Sequence, residues 1–327
     1  MRIVCLLLAT CLAACGGDEP APVADARTFD IDSSRVTVSG VSSGGYMAGQ
    51  LHVAHSALFS GVGIVAAGTW YCAAGDMTKA LGPCMKGGDV DPESLAAYAQ
   101  QAAQSGTIDS LDNLAGAQVW LFHGANDAII DAAVVEASGA FYTANGASVT
   151  IVDDVPVVHG MPALGAAAGC DEFASPFLND CNYDAAGELL GALYGELEPR
   201  VEAAGKLIEI PQLGADDAEM IGNAFLYVPA ACAAGETCGL HVALHGCQQS
   251  SEYVGDAFAS GAGYNEWAES NRLLVLYPQV ASSKLMPLNP QGCWDWWGYT
   301  DENYATRSGV QVATIKAMID GLAGAPL

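Results

Sequence analysis

The sequence predicts an α/β fold, a single domain built around a mostly parallel β-sheet. Short apolar segments typical of buried strands alternate with segments of helical character from residue 36 to residue 322. A Gly-x-Ser-x-Gly motif, which requires a sharp turn, lies between the first such strand and the first helix. The chain has 327 residues, 51% of them hydrophobic and 15% charged, so one large core can be filled.

The predicted strands and helices follow one another along the chain. The first strand is predicted at residues 36–39, and the helix after the motif at residues 46–58. Further strands are predicted at residues 61–67, 118–123, 148–153, 224–229, 241–245 and 273–278. A helix is predicted near residues 186–196, in an Ala- and Gly-rich segment, and a last helix at residues 309–322. This alternation favours a doubly wound sheet.

The N-terminal segment indicates export. Arg2 precedes an apolar stretch at residues 3–14 that is too short to span a bilayer and is typical of a signal peptide. The stretch ends in the sequence LAACG, which matches the bacterial lipobox and predicts lipidation of Cys15; an ordinary signal-peptidase site is the alternative. The expected organisation is a signal peptide at residues 1–14, a flexible tether at residues 15–28 and a catalytic domain at residues 29–327. We expect either a cell-envelope lipoprotein, in the outer membrane or periplasm, or a secreted protein.

The charge balance excludes several kinds of partner. Lys and Arg number 11 against 37 Asp and Glu, which gives a formal net charge of −26. Such a chain repels phosphate backbones and anionic lipid surfaces. We therefore expect no nucleic-acid partner, and membrane contact only through the N-terminal lipid anchor. The sequence does not indicate an oligomeric state.

The cysteines suggest disulfides rather than a metal site. Three of the eleven cysteines lie in the N-terminal segment, and eight remain, an even number typical of an oxidising compartment. Three pairs are close in sequence and the fourth is what remains, which gives the hypothesis Cys72–Cys84, Cys170–Cys181, Cys232–Cys238 and Cys247–Cys293. Eight cysteines allow 105 pairings. No cluster has the spacing of zinc ligands, so no metal is expected.

The motif GVSSG at residues 40–44 predicts a nucleophile. In a nucleophile elbow the serine lies on a strained turn between a strand and a helix, and the glycines avoid clashes with both. Ser42 holds the central position, and the main-chain N–H of Ser43 would stabilise the oxyanion. The alternative is a purely structural turn.

An acid and a base follow in the chain order Ser, Asp, His that is expected of such a triad. Asp127 lies on the loop after the strand at residues 118–123, and His159 lies in the loop sequence VVHGMP. His159 would accept the proton of Ser42, while Asp127 would fix the tautomer of His159. The alternatives for the acid are Asp131, Asp153 and Asp154.

A second oxyanion donor is predicted far along the chain. The sequence HVALHGC at residues 241–247 is a strand that runs into a His-Gly turn, so the N–H of Cys247 would be the donor. In α/β hydrolases the corresponding segment precedes the nucleophile, but too few residues precede Gly40 here. Joining the last helix to the first strand would restore the usual order. The sequence therefore predicts a circularly permuted α/β-hydrolase fold.

Five motifs together resemble those of a known family. In order, GVSSGGYMA, LFHGANDAII, VVHGMP, HVALHGCQQ and GCWDWWGYT resemble the poly(3-hydroxybutyrate) depolymerases in which the lipase box precedes the oxyanion segment. The resemblance covers roughly residues 30–320. It implies a serine esterase that hydrolyses short-chain polyhydroxyalkanoates or their oligomers through an acyl-enzyme, without a cofactor. It also implies that Ser42, Asp127 and His159 form the triad, with the amides of Ser43 and Cys247 as the oxyanion hole.

Aromatic residues are the predicted substrate contacts. The segment at residues 293–299 resembles the substrate-cleft segment of that family, and flat rings suit an aliphatic polyester chain. The expected contacts are Trp294, Trp296, Trp297, Tyr299, Trp70 and Tyr71, each with core packing as the alternative. The chain ends at Leu327 without a separate polymer-binding domain, so we expect amorphous polymer or oligomers to be preferred.

Two other functions are compatible with the motifs. A feruloyl or acetyl esterase acting on polysaccharide esters would have a similar fold and similar motifs. A non-catalytic lipoprotein that binds a hydrophobic ligand is the alternative from another class, but it would not need a nucleophile, a base and an acid together.

Overall fold

The computed structural model describes residues 28–88 and 92–327. Its strands are β1 (Ile31–Val41), β2 (Gly61–Val65), β3 (Gln118–Phe122), β4 (Ser148–Val152), β5 (Met161–Pro162), β6 (Ala168–Gly169), β7 (Leu178–Asp180), β8 (Lys206–Pro211), β9 (Asn223–Val228), β10 (Cys238–Leu244) and β11 (Leu273–Tyr277). Its helices are α1 (Ser43–Ala54), α2 (Met77–Leu81), α3 (Pro83–Lys86), α4 (Pro92–Ser105), α5 (Ala132–Ala144), α6 (Ala185–Tyr194), α7 (Ala230–Ala233), α8 (Ser251–Val254), α9 (Ala257–Gly261), α10 (Tyr264–Asn271) and α11 (Val310–Ala323).

The predicted N-terminal features lie outside this part of the chain. They are the signal peptide, the lipobox with Cys15 and all but the last residue of the predicted tether. Within residues 28–88 and 92–327, none of the helices combines the length and the apolar character that crossing a bilayer requires.

Eight strands form one twisted sheet in the order β4-β3-β2-β1-β10-β11-β9-β8. The pairs from β4 to β11 are parallel, and β9 is antiparallel to both of its neighbours. The central strands are buried along their whole length, as expected for a sheet covered on both faces. The sheet is therefore mostly parallel, as the sequence predicts.

Helices cover the sheet on both faces and enclose two hydrophobic cores. One core joins alternate strand residues such as Val36 and Val38 to α1, α4, α5 and α11. The other joins Val41 and Val65 to α6, α9 and α10. Val38 and Val41, an odd number of residues apart in β1, thus enter opposite cores because side chains alternate across a strand. Val41, the last residue of β1, belongs to the second core, and Ser42 follows it directly.

The strand order identifies the fold as a permuted α/β hydrolase. Counted from the other edge, the order is β8-β9-β11-β10-β1-β2-β3-β4, so the C-terminal strands precede the N-terminal ones. The two ends of the described chain meet, since the N–H of Phe29 donates to the carbonyl of Leu322 at 2.7 Å. A link from α11 to β1 would therefore be short. The predicted fold class is confirmed.

Several elements differ from the prediction. β1 begins at Ile31 rather than at residue 36, and the edge strand β8 was not predicted. Strands β5, β7 and β6 form a small second sheet in the segment between His159 and α6. They contain two or three residues each, too few to show a periodic pattern in the sequence.

Candidate active site

Ser42 lies on a strained turn between β1 and α1. Its backbone has φ 55° and ψ −121°, which residues other than glycine rarely adopt. A Cβ on Gly40 would lie 2.1 Å from the carbonyl oxygen of Gly44, and a Cβ on Gly44 would lie 2.4 Å from the carbonyl oxygens of Leu244 and His245. Glycine is thus required at both positions. This close packing holds the start of α1 against the end of β10.

Three side chains from three loops meet beside this turn. Ser42 Oγ lies 2.9 Å from His159 Nε2, and His159 Nδ1 lies 2.8 Å from Asp127 Oδ2. The other carboxylate oxygen of Asp127 accepts the amides of Ile129 and Ile130 at 2.8 and 3.0 Å. The structure therefore brings together the three residues that the sequence predicts as a triad, in the order needed to transfer a proton from serine to histidine.

The carboxylate of Asp127 is held in its ionised form. Burial by itself would raise the pKa of Asp127, but the hydrogen bond and charge of His159 and the amides of Ile130 and Ile129 outweigh it. The net pKa of Asp127 is lowered. An ionised carboxylate here fixes the Nδ1–H tautomer of His159, which leaves Nε2 free to accept the proton of Ser42.

The alternative acids lie elsewhere. Asp131 has a side chain 47% exposed and forms an ion pair with Lys86 at 3.7 Å. Asp153 and Asp154 are exposed after β4. None of the three forms a hydrogen bond with His159 in the described chain.

Two main-chain amides beside Ser42 lack an internal acceptor. In the described residues, the N–H groups of Ser43 and Cys247 donate to no other group of the protein. Gly246 packs against the nucleophile, since a Cβ on it would lie 3.4 Å from Ser42 Cβ and 3.3 Å from the carbonyl oxygen of Val41. These two donors are those predicted for the oxyanion hole, and both belong to the walls of one cleft.

The disulfides join the pairs suggested by the sequence: Cys72–Cys84, Cys170–Cys181, Cys232–Cys238 and Cys247–Cys293. The last pair connects the oxyanion turn, residues 245–249, to the Trp segment, residues 293–300. Among the described residues, no three His, Cys, Asp or Glu side chains are arranged to hold a metal ion.

An apolar cleft of about 410 Å³ opens over Ser42 and His159. Its apolar lining includes Val41, Met77, Ala80, Leu81, Met85, Ile129, Ile130, Phe173, Phe177, Leu288, Pro290, Trp296 and Trp297. Trp296 stacks on Tyr46 of α1, with ring centroids 4.2 Å apart. A cleft with this lining suits an aliphatic ester chain better than a sugar, which needs many polar partners.

Four of the six predicted aromatic contacts require correction, because they lie outside the lining of the cleft. Trp294 is buried and donates its indole N–H to the carbonyl of His245 at 3.0 Å. Trp70 is buried and donates to the carbonyl of Ala305 at 2.9 Å. Both rings are at most 1% exposed, so they pack inside the protein rather than along the cleft.

Tyr71 and Tyr299 are half-buried, each held by other protein groups. Tyr71 stacks on Tyr98 with ring centroids 4.0 Å apart. The hydroxyl of Tyr299 donates to the carbonyl of Cys293 at 2.9 Å. Of the predicted aromatic residues, Trp296 and Trp297 remain as cleft residues.

Asp295, which sequence reasoning did not single out, holds the Trp segment in shape. Its carboxylate accepts the amides of Trp297, Gly298, Tyr299 and Thr300 at 2.7 to 3.2 Å, and the Thr300 hydroxyl at 2.6 Å. Burial raises the pKa of this carboxyl group. The aspartate between two tryptophans is the only signal in the sequence that could have indicated this role.

Phe173 and Phe177 were also missed. They line the cleft on the side of His159, and the centroid of the Phe173 ring lies 6.3 Å from that of His159. They belong to the Phe segment, residues 172–177, in the Ala- and Gly-rich part of the chain, where the sequence shows no periodicity.

The chain is similar to known polyester hydrolases. It is 38% identical over 324 residues to the poly(3-hydroxybutyrate) depolymerase of Delftia acidovorans. The aligned region covers 94% of this chain and 64% of that protein. The chain thus spans 64% of the length of that relative. It is 36% identical over 319 residues to the polyhydroxybutyrate depolymerase of Talaromyces funiculosus, which covers 90% of this chain and 93% of that protein. No protein-family model matches the chain.

Solved structures show the same likeness. The crystal structure of the PHB depolymerase from Penicillium funiculosum superposes with a TM-score of 0.85 at 33% sequence identity, covering 91% of this chain and 98% of that chain. A PHB depolymerase variant in complex with an R3HB trimer gives the same TM-score of 0.85 and the same 33% identity.

Proposed function

The chain belongs to the poly(3-hydroxybutyrate) depolymerase family, and on that premise we propose that it hydrolyses the ester bonds of poly(3-hydroxybutyrate) or its oligomers. The observation that carries the proposal is the hydrogen-bonded series Asp127–His159–Ser42, in which His159 and Ser42 line an apolar cleft. The catalytic residues are Ser42, Asp127 and His159, and the amides of Ser43 and Cys247 form the oxyanion hole.

Acylation transfers the hydroxyacyl group to the enzyme. Ser42 Oγ forms a bond to the ester carbonyl carbon, and its proton passes to Nε2 of His159, 2.9 Å away. The carbonyl oxygen becomes an oxyanion that accepts the amides of Ser43 and Cys247. When the intermediate collapses, the bond to the alkoxide breaks, and His159 returns its proton to that oxygen.

Deacylation repeats these steps with water. Nε2 of His159 removes a proton from water, whose oxygen forms a bond to the acyl carbon. The second tetrahedral intermediate collapses with release of Ser42 Oγ, which regains its proton from His159. The ionised carboxylate of Asp127 stabilises the imidazolium in both halves of the reaction. The products are a hydroxy acid or a shorter oligomer with a free carboxylate.

The apolar cleft supports an aliphatic polyester as substrate. Its walls are formed by methionine, leucine, isoleucine, phenylalanine and tryptophan side chains, with Trp296 and Trp297 on one side and Phe173 on the other. Binding against such surfaces is favourable, because it removes the methyl and methylene groups of the polyester chain from water. A polysaccharide decorated with feruloyl or acetyl groups would leave many hydroxyls without a polar partner.

The test is clearing of an amorphous poly(3-hydroxybutyrate) suspension by the purified protein, with Ser42→Ala alongside and products identified by mass spectrometry. We expect clearing with release of hydroxybutyrate monomers or dimers, and its loss in Ser42→Ala. Hydrolysis of hydroxycinnamoyl esters such as methyl ferulate without release of hydroxybutyrate would instead identify a feruloyl esterase.

The disulfides and the N-terminal sequence bear on where the protein is located. The four disulfides indicate an oxidising compartment outside the cytosol. We propose in addition that Cys15 carries a lipid anchor that keeps the enzyme at the cell envelope. Mass spectrometry of the N-terminal peptide should show diacylglyceryl-modified Cys15, and Cys15→Ala should release the enzyme into soluble fractions; an unmodified peptide that begins after an ordinary signal-peptidase site would contradict the anchor.

A further inference from the structure

We propose that Gln249 is a positioning residue that aligns the Cys247 amide with Ser42 by linking the oxyanion turn to the Phe segment. This inference rests on the proposed function, since it assigns a role to Cys247 in ester hydrolysis. Gln249 takes no part in the proton transfers described above. Its side chain is nevertheless buried between two loops of the cleft.

The carboxamide of Gln249 bonds to both loops. Its oxygen accepts the N–H of Gly246 at 2.7 Å. Its Nε2 donates to the carbonyl of Pro176 at 2.8 Å and, more weakly, to that of Phe177 at 3.4 Å. Gln249 is 2% exposed, so water does not compete for these bonds.

The bond to Gly246 fixes the residue directly before the oxyanion donor. A Cβ on Gly246 would meet the Gln249 oxygen at 2.8 Å and the Val41 carbonyl at 3.3 Å, so the turn is wedged between Gln249 and the nucleophile strand. A displacement of Gly246 would move the peptide that carries the N–H of Cys247. Because the strength of an oxyanion donor depends on its distance and angle, even a small displacement would weaken it.

Within the turn, the carbonyl of Gly246 also accepts hydrogen bonds from Nδ1 of His245 at 2.7 Å and from the N–H of Gln249 at 3.3 Å. Further restraints come from the side opposite the Phe segment. The N–H of Gln248 donates to the carbonyl of Gln291 at 2.7 Å, and Cys247 is linked to Cys293. Cys293 belongs to the Trp segment, and Gln291 lies two residues before it. Among the described residues, Gln249 supplies the side-chain hydrogen bond between the oxyanion turn and the wall that faces His159.

That wall is built to contact substrate. Phe173 is 56% exposed at the cleft and packs on Phe177, with ring centroids 5.0 Å apart. The segment is braced by the Cys170–Cys181 disulfide. Phe173 belongs to the same segment as the Pro176 and Phe177 carbonyls that accept hydrogen bonds from Gln249. A substrate bound against Phe173 therefore restrains these carbonyls, and through Gln249 it restrains the position of the Cys247 amide.

A second buried glutamine provides a matched control. Gln212 is 3% exposed and joins backbone groups in the same way, accepting the N–H of Gln279 at 2.9 Å and donating to the Gln279 and Ile221 carbonyls. It lies at the end of β8 and does not line the cleft. Loss of Gln212 should therefore lower stability without an effect on the chemical step.

The experiment compares Gln249→Met, Gln212→Met and the native enzyme with p-nitrophenyl butyrate as substrate and butylboronic acid as inhibitor. A boronic acid adds to the serine as a tetrahedral adduct, so its affinity reports the oxyanion hole. We expect Gln249→Met to lower kcat about 10- to 100-fold, with KM changed less than about threefold, and to raise the inhibition constant by a similar factor. Gln212→Met should lower Tm but keep kcat and the inhibition constant near native values.

The link to the Phe segment is tested by a double-mutant cycle. With a trimeric hydroxybutyrate ester, Phe173→Ala and Gln249→Met should be non-additive in kcat/KM, because each breaks the same connection. Should Gln249→Met fail to fold, Gln249→Glu keeps an acceptor for Gly246 but, when ionised, loses the donor to Pro176. Its kcat should then lie below that of the native enzyme.

Three results separate the possibilities. A Gln249→Met enzyme with a native kcat and inhibition constant, and a Tm lowered as in Gln212→Met, would overturn the inference and leave the proposed function intact. Additive effects of Phe173→Ala and Gln249→Met would overturn the link to the Phe segment. A native protein without activity on any ester would overturn the proposed function and this inference together.

Discussion

Tyr46 and Trp296 stack in parallel, with ring centroids 4.2 Å apart and an angle of 11° between the planes. Tyr46 lies in the first turn of α1, four residues after Ser42, and Trp296 lies in the Trp segment. The stack therefore fixes one wall of the cleft relative to the nucleophile. Substrate that contacts Trp296 is positioned by a group that is itself braced against the elbow helix.

The first prediction concerns this stacked ring. Trp296→Ala removes both the stack and a cleft contact, worth about 1 to 2 kcal/mol of substrate binding. We expect KM for a hydroxybutyrate trimer to rise about 5- to 30-fold. The kcat for p-nitrophenyl acetate, which is too short to need the wall, should change less than about threefold. Steady-state kinetics with both esters measure the difference.

Trp296→Phe is the control, because a phenyl ring can still stack on Tyr46. Its KM for the trimer should lie close to the native value. Equal KM values for the trimer in the native, Ala and Phe enzymes would mean that this wall does not bind substrate.

The second prediction concerns Asp127. In Asp127→Asn the side chain keeps its size but loses its charge and can donate to His159 Nδ1, which favours the wrong tautomer. We expect kcat to fall on the order of 10³- to 10⁴-fold, with little change in KM. Asp131→Asn, which alters the exposed alternative acid, should retain native kcat within about twofold; a large loss there with none in Asp127→Asn would reassign the acid.

The geometry around Ser42 could be predicted because each partner leaves a local pattern. Ser42 lies in a motif whose glycines are required by close backbone contacts, and Asp127 directly follows a buried strand. The carboxyl ends of parallel strands share one edge of the sheet, so residues distant in sequence are expected to meet there. The circular permutation followed from the same reasoning, once the His-Gly turn before Cys247 was placed next to the nucleophile, whereas the edge strand β8 was not predicted.

The orientation of the aromatic residues could not be predicted in the same way. The hydrogen bonds of Asp295 to the main chain set the conformation of the Trp segment, and this conformation decides which of its three tryptophans face the cleft. An irregular turn has no sequence periodicity from which the direction of each side chain could be predicted. Phe173 was missed for a related reason. Its position is set by strands of two or three residues and by a disulfide loop, which are properties of the tertiary structure rather than of local sequence.

The third prediction concerns the Cys247–Cys293 disulfide, which joins residues 46 apart in sequence. In the chain-entropy model, closing a loop of this length stabilises the folded state by about 4 kcal/mol. Replacing both cysteines by alanine should therefore lower Tm and also lower kcat about tenfold or more, because the Cys247 amide loses an anchor. Thermal unfolding and kinetics with p-nitrophenyl butyrate test both effects.

The Cys232–Cys238 disulfide is the matched control. It spans 6 residues and lies at the start of β10, at the opposite end of that strand from Cys247. Its removal should cost about 2 kcal/mol and leave kcat within about twofold of native. If the two double variants lose kcat in equal proportion, the Cys247–Cys293 bridge has no special relation to the active site.

The fourth prediction concerns stability in acid. Burial lowers the pKa of His52 and His241 to about 3 and that of His55 and His245 to about 4. Below the ordinary value of about 6.5, the unfolded chain binds protons at these residues that the folded chain does not. These histidines therefore do not reduce the free energy of unfolding above about pH 6.5. As the pH decreases from about 6.5 towards 4, the free energy of unfolding should fall.

Each fully buried histidine contributes up to about 1.4 kcal/mol per pH unit within that window. Urea unfolding at pH 7, 6 and 5 measures the slope, and His52→Leu should make it shallower, because His52 is fully buried and its Nε2 has no partner in the described chain. The raised pKa of Asp295 acts in the opposite direction, since its protonation favours the folded state, but it is one group against four. Identical slopes in the native protein and in His52→Leu would mean that His52 is not kept neutral by burial, and the acid sensitivity would then have to come from the carboxylates.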